Sequence, residues 1–243
     1  MKIAVLTINK AGERMADKLK VNFKNCVVIR LQGGETQKIK KIFDEYDGLI
    51  FIAALGIVVR LVSPFVKNKI GDPAVICVDT AGRSVISVLS GHEGGANNLA
   101  YLTAGYLGAQ PVITTGTEAR KNIILGIGCR RGISAEKVKS AIRFILRKNA
   151  IDSNKIRVAA TVDLKKNETG LIKACAELGL PLVFIPKEDI VNFKSISSSE
   201  VVKRNIGLDG VCEPVAILAG RKARLICQKQ IIDGVTVALA KEN

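Results

Sequence analysis

The sequence lacks tryptophan and has few other aromatic residues, with three tyrosines and seven phenylalanines among 243 residues. Proteins that bind single-stranded nucleic acid stack bases on aromatic side chains, and no nucleic-acid-binding motif is recognisable here, so nucleic acid is disfavoured as a partner. No apolar run reaches the roughly 18 residues of a membrane helix, and Met1–Leu6 is too short and too strand-like for a signal peptide. We therefore expect a folded cytoplasmic protein that does not bind membranes.

Cysteine patterns typical of metal clusters and disulfide frameworks are also missing. No two of the six cysteines have the CxxC spacing, and most have apolar neighbours. We predict that they are small core residues, with the role of Cys129 left open. A metal cluster or a set of disulfides is not expected.

Acidic residues are few relative to basic ones: 37 Lys and Arg stand against 22 Asp and Glu, which gives a formal net charge of +15. Residues 1–118 contain 14 basic and 10 acidic residues, net +4, whereas residues 119–243 contain the other 23 and 12, net +11. The second half therefore attracts polyanions. A small molecule with many carboxylates fits this charge as well as nucleic acid does, and a solvated lysine-rich surface also accounts for it.

Apolar residues are abundant, at 48% of the chain, and the length suits two modest domains. Apolar strands alternate with helical stretches, which predicts α/β domains, and the turn at Gly82 predicts a hairpin within the first sheet. We expect two α/β domains, each a mixed, mostly parallel sheet flanked by helices. The small, polar segment Thr114–Asn122 is the predicted linker between residues 1–118 and 119–243. In the second domain we predict a helix capped by Ser134 and a serine-capped helix over Ser199–Asn205.

The only histidine of the chain, His92, lies between two glycine breaks where an apolar strand gives way to a helix. Histidine exchanges a proton near neutral pH, and glycines at such a turn let the backbone approach a ligand. A lone histidine near a strand end is more often structural than catalytic. Here Ser90, Glu93 and Asn97 bring further polar side chains into the same segment, which favours a functional role.

Ligands of open α/β sheets gather at the carboxyl ends of the strands, and we expect four segments to lie there. These are Ala53–Arg60, Lys69–Ala74, the segment around His92, and Gly126–Ser134. In the first, Gly56 permits close backbone approach and Arg60 is a candidate carboxylate ligand, although a packing glycine and a surface arginine explain them equally well. In the second, Asp72 is explained by capping alone.

The fourth segment has glycines at 126, 128 and 132, a spacing that does not match the dinucleotide-binding fingerprint. It offers instead a strand-to-helix turn with backbone donors and two arginines, which is typical of an anion-binding site. The candidate ligand-binding residues of this domain are Gly128, Arg130, Arg131, Lys165, Glu168 and Glu213. Each of the two acids is explained equally well as a helix-start charge that the helix dipole favours.

Taken together, these segments resemble the cobalt-precorrin-5A hydrolase family of anaerobic cobalamin biosynthesis. The run Leu89–Asn97 is the most specific part of the match, and Ala54–Arg60, Asp72–Val75 and Pro111–Thr115 agree with the same N-terminal domain. The C-terminal part of the resemblance lies in Gly126–Gly132, Lys165–Leu171, Gly210–Glu213 and Thr236–Ala238. The chain departs from longer members in lacking a middle segment between the two domains.

The resemblance implies a hydrolase that opens the δ-lactone of a cobalt corrinoid and releases acetaldehyde, which gives cobalt-precorrin-5B. Cobalt then belongs to the substrate, and we expect no cofactor and no metal held by the protein. The carboxylate arms of the substrate account for the positive charge. Other enzymes of the pathway and a second copy of the chain are further partners that the resemblance allows.

For the mechanism, we predict that His92 is the general base that activates water, with Glu93 or Asp79 orienting it or returning the proton. Ser90, Asn97 and the amides of Gly94 and Gly95 are the predicted oxyanion donors. Ser90 as a covalent nucleophile is the lesser alternative. The predicted substrate-binding residues are Gly56, Gly94, Gly95, Asn97, Arg60, Gly128, Arg130, Arg131, Lys165, Glu168 and Glu213.

Two other functions stay open at this point. A non-catalytic corrinoid carrier would use the same basic residues without consuming the ligand. A nucleic-acid binder would lose affinity steeply with salt, and the shortage of aromatic residues makes it the weakest of the three.

Overall fold

A computed structural model describes residues 1–32, 35–196 and 211–242, without the side chains of residues 194–196. The predicted helix over Ser199–Asn205 lies outside the described residues, as does Gly210, the first residue of the segment Gly210–Glu213 in the family resemblance. The chain divides into two compact units, Met1–Thr117 and Glu118–Asn243. Each unit has its own sheet and its own core.

The first unit alternates strands and helices along most of its length. Its strands are β1 (Ile3–Thr7), β2 (Cys26–Arg30), β3 (Gly48–Ile52), β4 (Ala74–Val78), β5 (Ser84–Leu89) and β6 (Gln110–Val112). Its helices are α1 (Lys10–Asn22), α2 (Thr36–Glu45), α3 (Leu55–Val62) and α4 (Ala96–Leu107), and a short helix α5 (Gly116–Ala119) spans the unit boundary. Strands β1, β3 and β4 are buried along their whole length, as expected for central strands covered on both faces.

The sheet of the first unit has the strand order β2-β1-β3-β4-β5-β6. Strands β1 to β4 are parallel, but β5 returns antiparallel to β4 through the predicted hairpin, and β6 is parallel to β5. The carboxyl ends of β5 and β6 therefore lie at the edge of the sheet where β1 to β4 begin. This reversal decides where the histidine lies.

Helices cover both faces of this sheet. One core joins the inner side chains of α1 and α4 to Ile50 and Ile52, and the other joins those of α2 and α3 to Leu49 and Phe51. Gly12 of α1 allows close packing here, because a Cβ at this position would lie 3.1 Å from the Ile52 side chain, nearer than an ordinary van der Waals contact.

The second unit contains strands β7 (Ile123–Cys129), β8 (Ile156–Val162), β9 (Leu182–Ile185), β10 (Arg224–Ile232) and β11 (Val235–Lys241). Its helices are α6 (Ala135–Lys148), α7 (Thr169–Glu177), α8 (Lys187–Ile196) and α9 (Cys212–Leu218). The strand order is β10-β11-β7-β8-β9, and only β11 runs opposite to the other four strands. Helices α6 and α7 pack on one face, where their side chains share a core with Leu125 and Ile127.

Helix α9 packs on the other face of the second sheet. A Cβ on Gly126 would collide with the carbonyl of Cys212, so this glycine lets the backbone of α9 touch β7. The close approach places Cys212 and Glu213 in the interior of the unit, where they are 0% and 1% exposed.

The predicted fold class is confirmed: both units are α/β, and both sheets are mixed with most strands in one direction. Helix α6 begins after Ser134, whose side chain accepts the Lys137 N–H as the predicted cap. Helix α8 is not predicted from the sequence. The apolar pattern predicts a strand over Arg224–Cys227, and β10 extends five residues beyond it. Among the described residues, no helix has the length and apolar character needed to cross a membrane.

Candidate functional site

The glycine-rich turn that carries His92 joins β5 to α4 at the amino edge of the parallel strands. The expectation that it lies at their carboxyl ends is wrong, because β5 runs antiparallel to β4. Residues Lys69–Ala74, which precede β4, lie at this same edge, and a Cβ on Gly94 would come within 3.3 Å of the Asp72 carbonyl. The structure thus brings together two of the four predicted segments and leaves Ala53–Arg60 at the opposite edge.

Ser90 begins the turn in a left-handed conformation, with φ of 55°. Its side chain is 6% exposed, and its Oγ has no hydrogen-bond partner among the described residues. A Cβ on Gly94 would lie 2.5 Å from the Ser90 Cβ, so the glycine is required for the turn to close over this serine. The backbone then enters α4 through Gly95, which has φ of 85°.

Asn97, in the first turn of α4, links the turn to two neighbouring segments through its side-chain amide. Its Oδ1 accepts a hydrogen bond from Ser87 Oγ at 2.8 Å, and its Nδ2 donates to Thr115 Oγ1 at 3.0 Å. The side chain is 7% exposed, so both ends of the amide are used inside the protein. Asn97 therefore ties β5, α4 and the segment after β6 together, and the prediction that it binds an oxyanion is not supported by this geometry.

His92 and Glu93 form the exposed tip of the turn. Glu93 Oε1 accepts a hydrogen bond from Lys69 Nζ at 2.9 Å. This contact lowers the pKa of Glu93, with a smaller contribution from the nearby His92, and raises the pKa of Lys69. Glu93 is consequently a carboxylate paired with Lys69, and its first partner is the lysine rather than the histidine.

Asp72 organises the loop that presents Lys69. Its carboxylate is 4% exposed and accepts the N–H groups of Lys67, at 2.9 and 3.1 Å, and of Asn68, at 3.0 Å. Because both donors precede Asp72 in the chain and a strand follows it, the carboxylate stabilises the loop and does not cap a helix. A cavity of about 500 Å³ opens beside this loop, and Gly94 and Asp47 contribute to its wall.

Asp79 lies at the other end of the hairpin from His92, and the intervening strand β5 has six residues, roughly 20 Å at about 3.3 Å per residue. Its carboxylate accepts the N–H groups of Ala81, Arg83 and Ser84 at 3.1, 2.7 and 2.6 Å. Partial burial opposes ionisation, but these hydrogen bonds outweigh it and lower the pKa of Asp79. Asp79 stabilises a turn, and the prediction that it assists His92 does not fit the structure.

Gly56 and Arg60 lie on α3 at the carboxyl edge of β3 and are exposed. The nearest heavy atom to a Cβ on Gly56 would be Arg60 Nη1 at 3.9 Å, so packing does not require this glycine. Leu55, Ile57 and Val59 on the same helix are 40%, 40% and 46% exposed. This face of α3 is open to a ligand, but it is separated from His92 by the length of the sheet.

In the second unit, the predicted anion-binding turn follows β7 at the carboxyl edge of its parallel strands. Arg130 is anchored there: its N–H donates to the Gly234 carbonyl at 3.3 Å, and its guanidinium occupies the position that a Cβ on Gly234 would need. Arg131 is exposed beside it. A Cβ on Gly128 would lie 2.5 Å from Thr236 Oγ1, so this glycine serves sheet packing.

The backbone donor at the centre of this turn is already engaged. Glu168 is 8% exposed, and its Oε1 accepts the Gly132 N–H at 3.0 Å, while Lys165 Nζ lies 3.8 Å from its Oε2. The predicted residues Lys165 and Glu168 are therefore brought to the turn, but Glu168 is there as an internal carboxylate and not as an open ligand.

Glu213 has a structural position. Its Oε1 accepts the Lys229 N–H at 2.9 Å, within the irregular stretch of β10 between Cys227 and Gln230. At 1% exposure it cannot reach a ligand, so the prediction that it binds substrate is wrong for this arrangement. Cys129, left open by the sequence, is half-buried, and burial raises the pKa of its thiol despite the field of Lys165.

Comparison with known proteins identifies the family. The family model described as cobalamin synthesis G N-terminal matches residues 37–118, and the model described as cobalamin synthesis G C-terminus matches residues 123–240. The cobalt-precorrin-5A hydrolase of Priestia megaterium is 24% identical over 98% of this chain and 94% of its own length. The chain belongs to the cobalt-precorrin-5A hydrolase family.

The chain is also similar to two further proteins. The cobalt-precorrin-5A hydrolase of Salmonella typhimurium is 50% identical over 93 residues, 38% of this chain and 26% of that protein. The crystal structure of cobalamin biosynthesis protein chiG from Agrobacterium tumefaciens is similar over 50% of this chain and 98% of that one, with 28% identity and a TM-score of 0.43. The alignment with the Priestia hydrolase has 351 positions, more than the 243 residues here, so that family member carries stretches with no counterpart in this chain.

The sequence did not predict four contacts at the candidate sites: those of Ser87 and of Thr115 with Asn97, that of Lys69 with Glu93, and that of Gly234 with Arg130. Ser87 and Thr115 are distant in sequence from their partner Asn97, and Lys69 is 24 residues from Glu93. The Gly234 turn could have been found as the tight connection between two strands, but its contact with Arg130 is set by the register of β11 on β7.

Proposed function

We propose that this chain opens the δ-lactone of cobalt-precorrin-5A and releases acetaldehyde to give cobalt-precorrin-5B. The observation that carries the proposal is the match to the Priestia hydrolase of that name over 98% of this chain. The net charge of +15 supports it, because a corrinoid with several carboxylate arms is drawn to a basic protein.

His92 is the proposed general base. It is the only histidine, and it lies exposed on a glycine-rich turn where a large ligand can approach it. In the lactone-opening step, His92 takes a proton from water as the water oxygen bonds to the acyl carbon. The acyl–oxygen bond then breaks, the ring oxygen receives a proton, and a carboxylate and an alcohol are formed.

Water is favoured over Ser90 as the nucleophile. The Ser90 Oγ has less than 1 Å² of accessible surface and no partner within the described chain, so it meets neither a base nor a substrate in this arrangement. A macrocyclic substrate cannot enter the space that Gly94 closes over this serine. We assign Ser90 to the shape of the turn.

Glu93 is the proposed positioning residue for the imidazole, because its carboxylate is adjacent in sequence and close enough for His92 to lower its pKa. Lys69 holds Glu93 from the neighbouring loop. The N–H groups of Gly94 and Gly95 are the proposed donors to the developing oxyanion, since they precede the first turn of α4.

Release of acetaldehyde requires a second proton transfer. The alcohol formed by lactone opening loses its O–H proton, the adjacent carbon–carbon bond breaks, and its electron pair passes to the corrinoid carbon, which takes up a proton. A base that has returned its proton after the first step can serve again, so His92 suffices for both steps.

Arg130, Arg131 and Lys165 are the proposed ligands of substrate carboxylates in the second unit. Arg60 lies at the opposite edge of the first sheet from His92, so its role in substrate binding stays a prediction. Cobalt enters as part of the substrate in this proposal, and the protein supplies no cofactor. We also propose a cytoplasmic location, with the corrinoid as the ligand rather than nucleic acid.

The test is to incubate the purified protein with cobalt-precorrin-5A and to follow acetaldehyde together with the mass of the corrinoid. We expect wild type to release acetaldehyde, His92→Ala to release none, and Asn98→Ala, an exposed change on the helix that follows the turn, to behave as wild type. Normal turnover by His92→Ala would remove His92 from the chemistry. An unchanged corrinoid that remains bound to wild type would instead indicate a carrier.

A further inference from the structure

Glu168 is a carboxylate held where an anion is expected. It occupies the N-cap position of α7 but makes no capping bond with its side chain. Its carboxylate instead crosses to the turn before α6 and accepts the Gly132 N–H at 3.0 Å. The two helix starts are in contact there, because a Cβ on Gly170 would collide with the Ile133 carbonyl. The positive ends of both helix dipoles thus converge on this carboxylate.

The turn that Glu168 reaches, Arg130–Gly132, contains two arginines, and Lys165 lies beside the Glu168 carboxylate. Lys165 Nζ lies 3.8 Å away, at the outer limit of an ion pair. Neither Arg130 nor Arg131 forms an ion pair within the described part of the chain. Both arginines can therefore pair with the carboxylates of a ligand.

We propose that the Gly132 turn is a carboxylate receptor whose resting occupant is Glu168, and that a carboxylate of a polycarboxylate tetrapyrrole displaces it. The exchange replaces one carboxylate by another, so the charge beside the Gly132 N–H is unchanged. Glu168 loses its hydrogen bond from Gly132 and its long ion pair with Lys165, and the carboxylate of the ligand takes over both contacts. Once released, Glu168 remains at the start of α7, where the dipole still favours its charge.

This arrangement selects for ligands with several carboxylates. An internal carboxylate competes at a high effective concentration, so a simple monocarboxylate such as acetate cannot displace it. A ligand with additional carboxylates gains contacts with Arg130, Arg131 and Lys165, which offset the loss of Glu168. The residue thus sets specificity by competition and does not itself bind the ligand. The inference rests on the proposed function for the identity of the ligand class.

The experiment measures binding of uroporphyrin, a metal-free polycarboxylate tetrapyrrole, to the full chain by calorimetry, and follows the Gly132 amide by NMR. We expect Glu168→Ala to bind uroporphyrin about tenfold more tightly than wild type, the factor for one competing charge-assisted hydrogen bond. Glu177→Ala, which removes an exposed acid from the end of α7, controls for net charge, and its affinity should change by less than about twofold.

Acetate supplies the second readout. It should shift the Gly132 amide resonance in Glu168→Ala and leave it unchanged in wild type, while uroporphyrin should shift it in both. Glu168→Gln keeps an acceptor for Gly132 and should give an intermediate affinity even if the alanine variant does not fold. Equal or weaker uroporphyrin binding by the folded Glu168 variants, or a Gly132 resonance that saturating uroporphyrin leaves in place, overturns the proposal.

Failure of this inference is distinguishable from failure of the proposed function. Binding of uroporphyrin requires no turnover, so the binding experiment supports or refutes the proposed receptor whether or not acetaldehyde is released. Turnover of cobalt-precorrin-5A with no response at Gly132 would refute the receptor and leave the hydrolase intact.

Discussion

Lys69 Nζ lies 2.9 Å from Glu93 Oε1, and this ion pair joins the loop before β4 to the turn that carries His92. Both segments lie at the amino edge of the parallel strands because β5 reverses direction after the hairpin. Because the pair is exposed, it contributes little to stability, and its main effect is to position Glu93. It fixes the carboxylate next to the only imidazole of the chain.

Replacing Lys69 by Met should therefore loosen Glu93 without unfolding the protein. The pKa of Glu93, held below its ordinary value chiefly by the hydrogen bond from Lys69, should rise towards that value. We expect turnover to fall about two- to fivefold, the scale of one exposed ion pair. An NMR titration of the Glu93 carboxyl in both proteins checks the first point. Identical Glu93 titration curves would mean that the ion pair does not form in solution.

Ser90→Ala distinguishes the two roles considered for the serine. Its hydroxyl is buried without a partner in the described chain, so its removal should change the free energy of unfolding by less than about 1 kcal/mol. Turnover should persist, because water is the proposed nucleophile. Urea unfolding and acetaldehyde release measure both effects. Abolished turnover in a protein of normal stability would restore Ser90 as the nucleophile.

Gly94→Ala should be far more damaging than its size suggests. The added Cβ would lie 2.5 Å from the Ser90 Cβ and 3.0 Å from the Ser90 carbonyl, so the turn must shift. We expect a loss of about 1–3 kcal/mol in the free energy of unfolding, together with lost turnover. Gly116→Ala is the matched control, since no atom lies within 4 Å of its Cβ position. Equal urea midpoints for the two variants would contradict the described packing of the turn.

Much of the fold was predictable because local patterns determine it. Apolar periodicity and flanking turn residues predict a helix over Thr36–Glu45 and a strand over Ala74–Val78, and helix α2 and strand β4 have these bounds. Helix α8 was not predicted, because Lys187–Ile196 mixes charged and apolar residues with only weak helical periodicity.

The candidate sites were predictable in composition but not in arrangement. The hairpin at Gly82 was expected, yet its consequence, that His92 lies across the sheet from Arg60, depends on strand direction and not on local sequence. The pairing of Glu168 with Gly132 spans 36 residues and depends on how α7 packs on α6. Glu213 looked like a helix-start acid, and only the packing of α9 on Gly126 shows why it is buried.

Asp79→Asn tests the structural role of a residue first predicted to be catalytic. Because the folded-state pKa of Asp79 is lowered, its carboxylate contributes stability at pH values above the ordinary carboxyl pKa of about 3.9, and this contribution disappears as the pH falls through the lowered value. At neutral pH the variant should lose about 1 kcal/mol, a modest figure because the carboxylate is only partly buried and solvent screens its interactions. Turnover should be unchanged, since six residues of β5 separate the turn from His92. Urea unfolding from pH 7 to pH 3 should show the two proteins converging in acid; a constant difference, or lost turnover, would contradict this assignment.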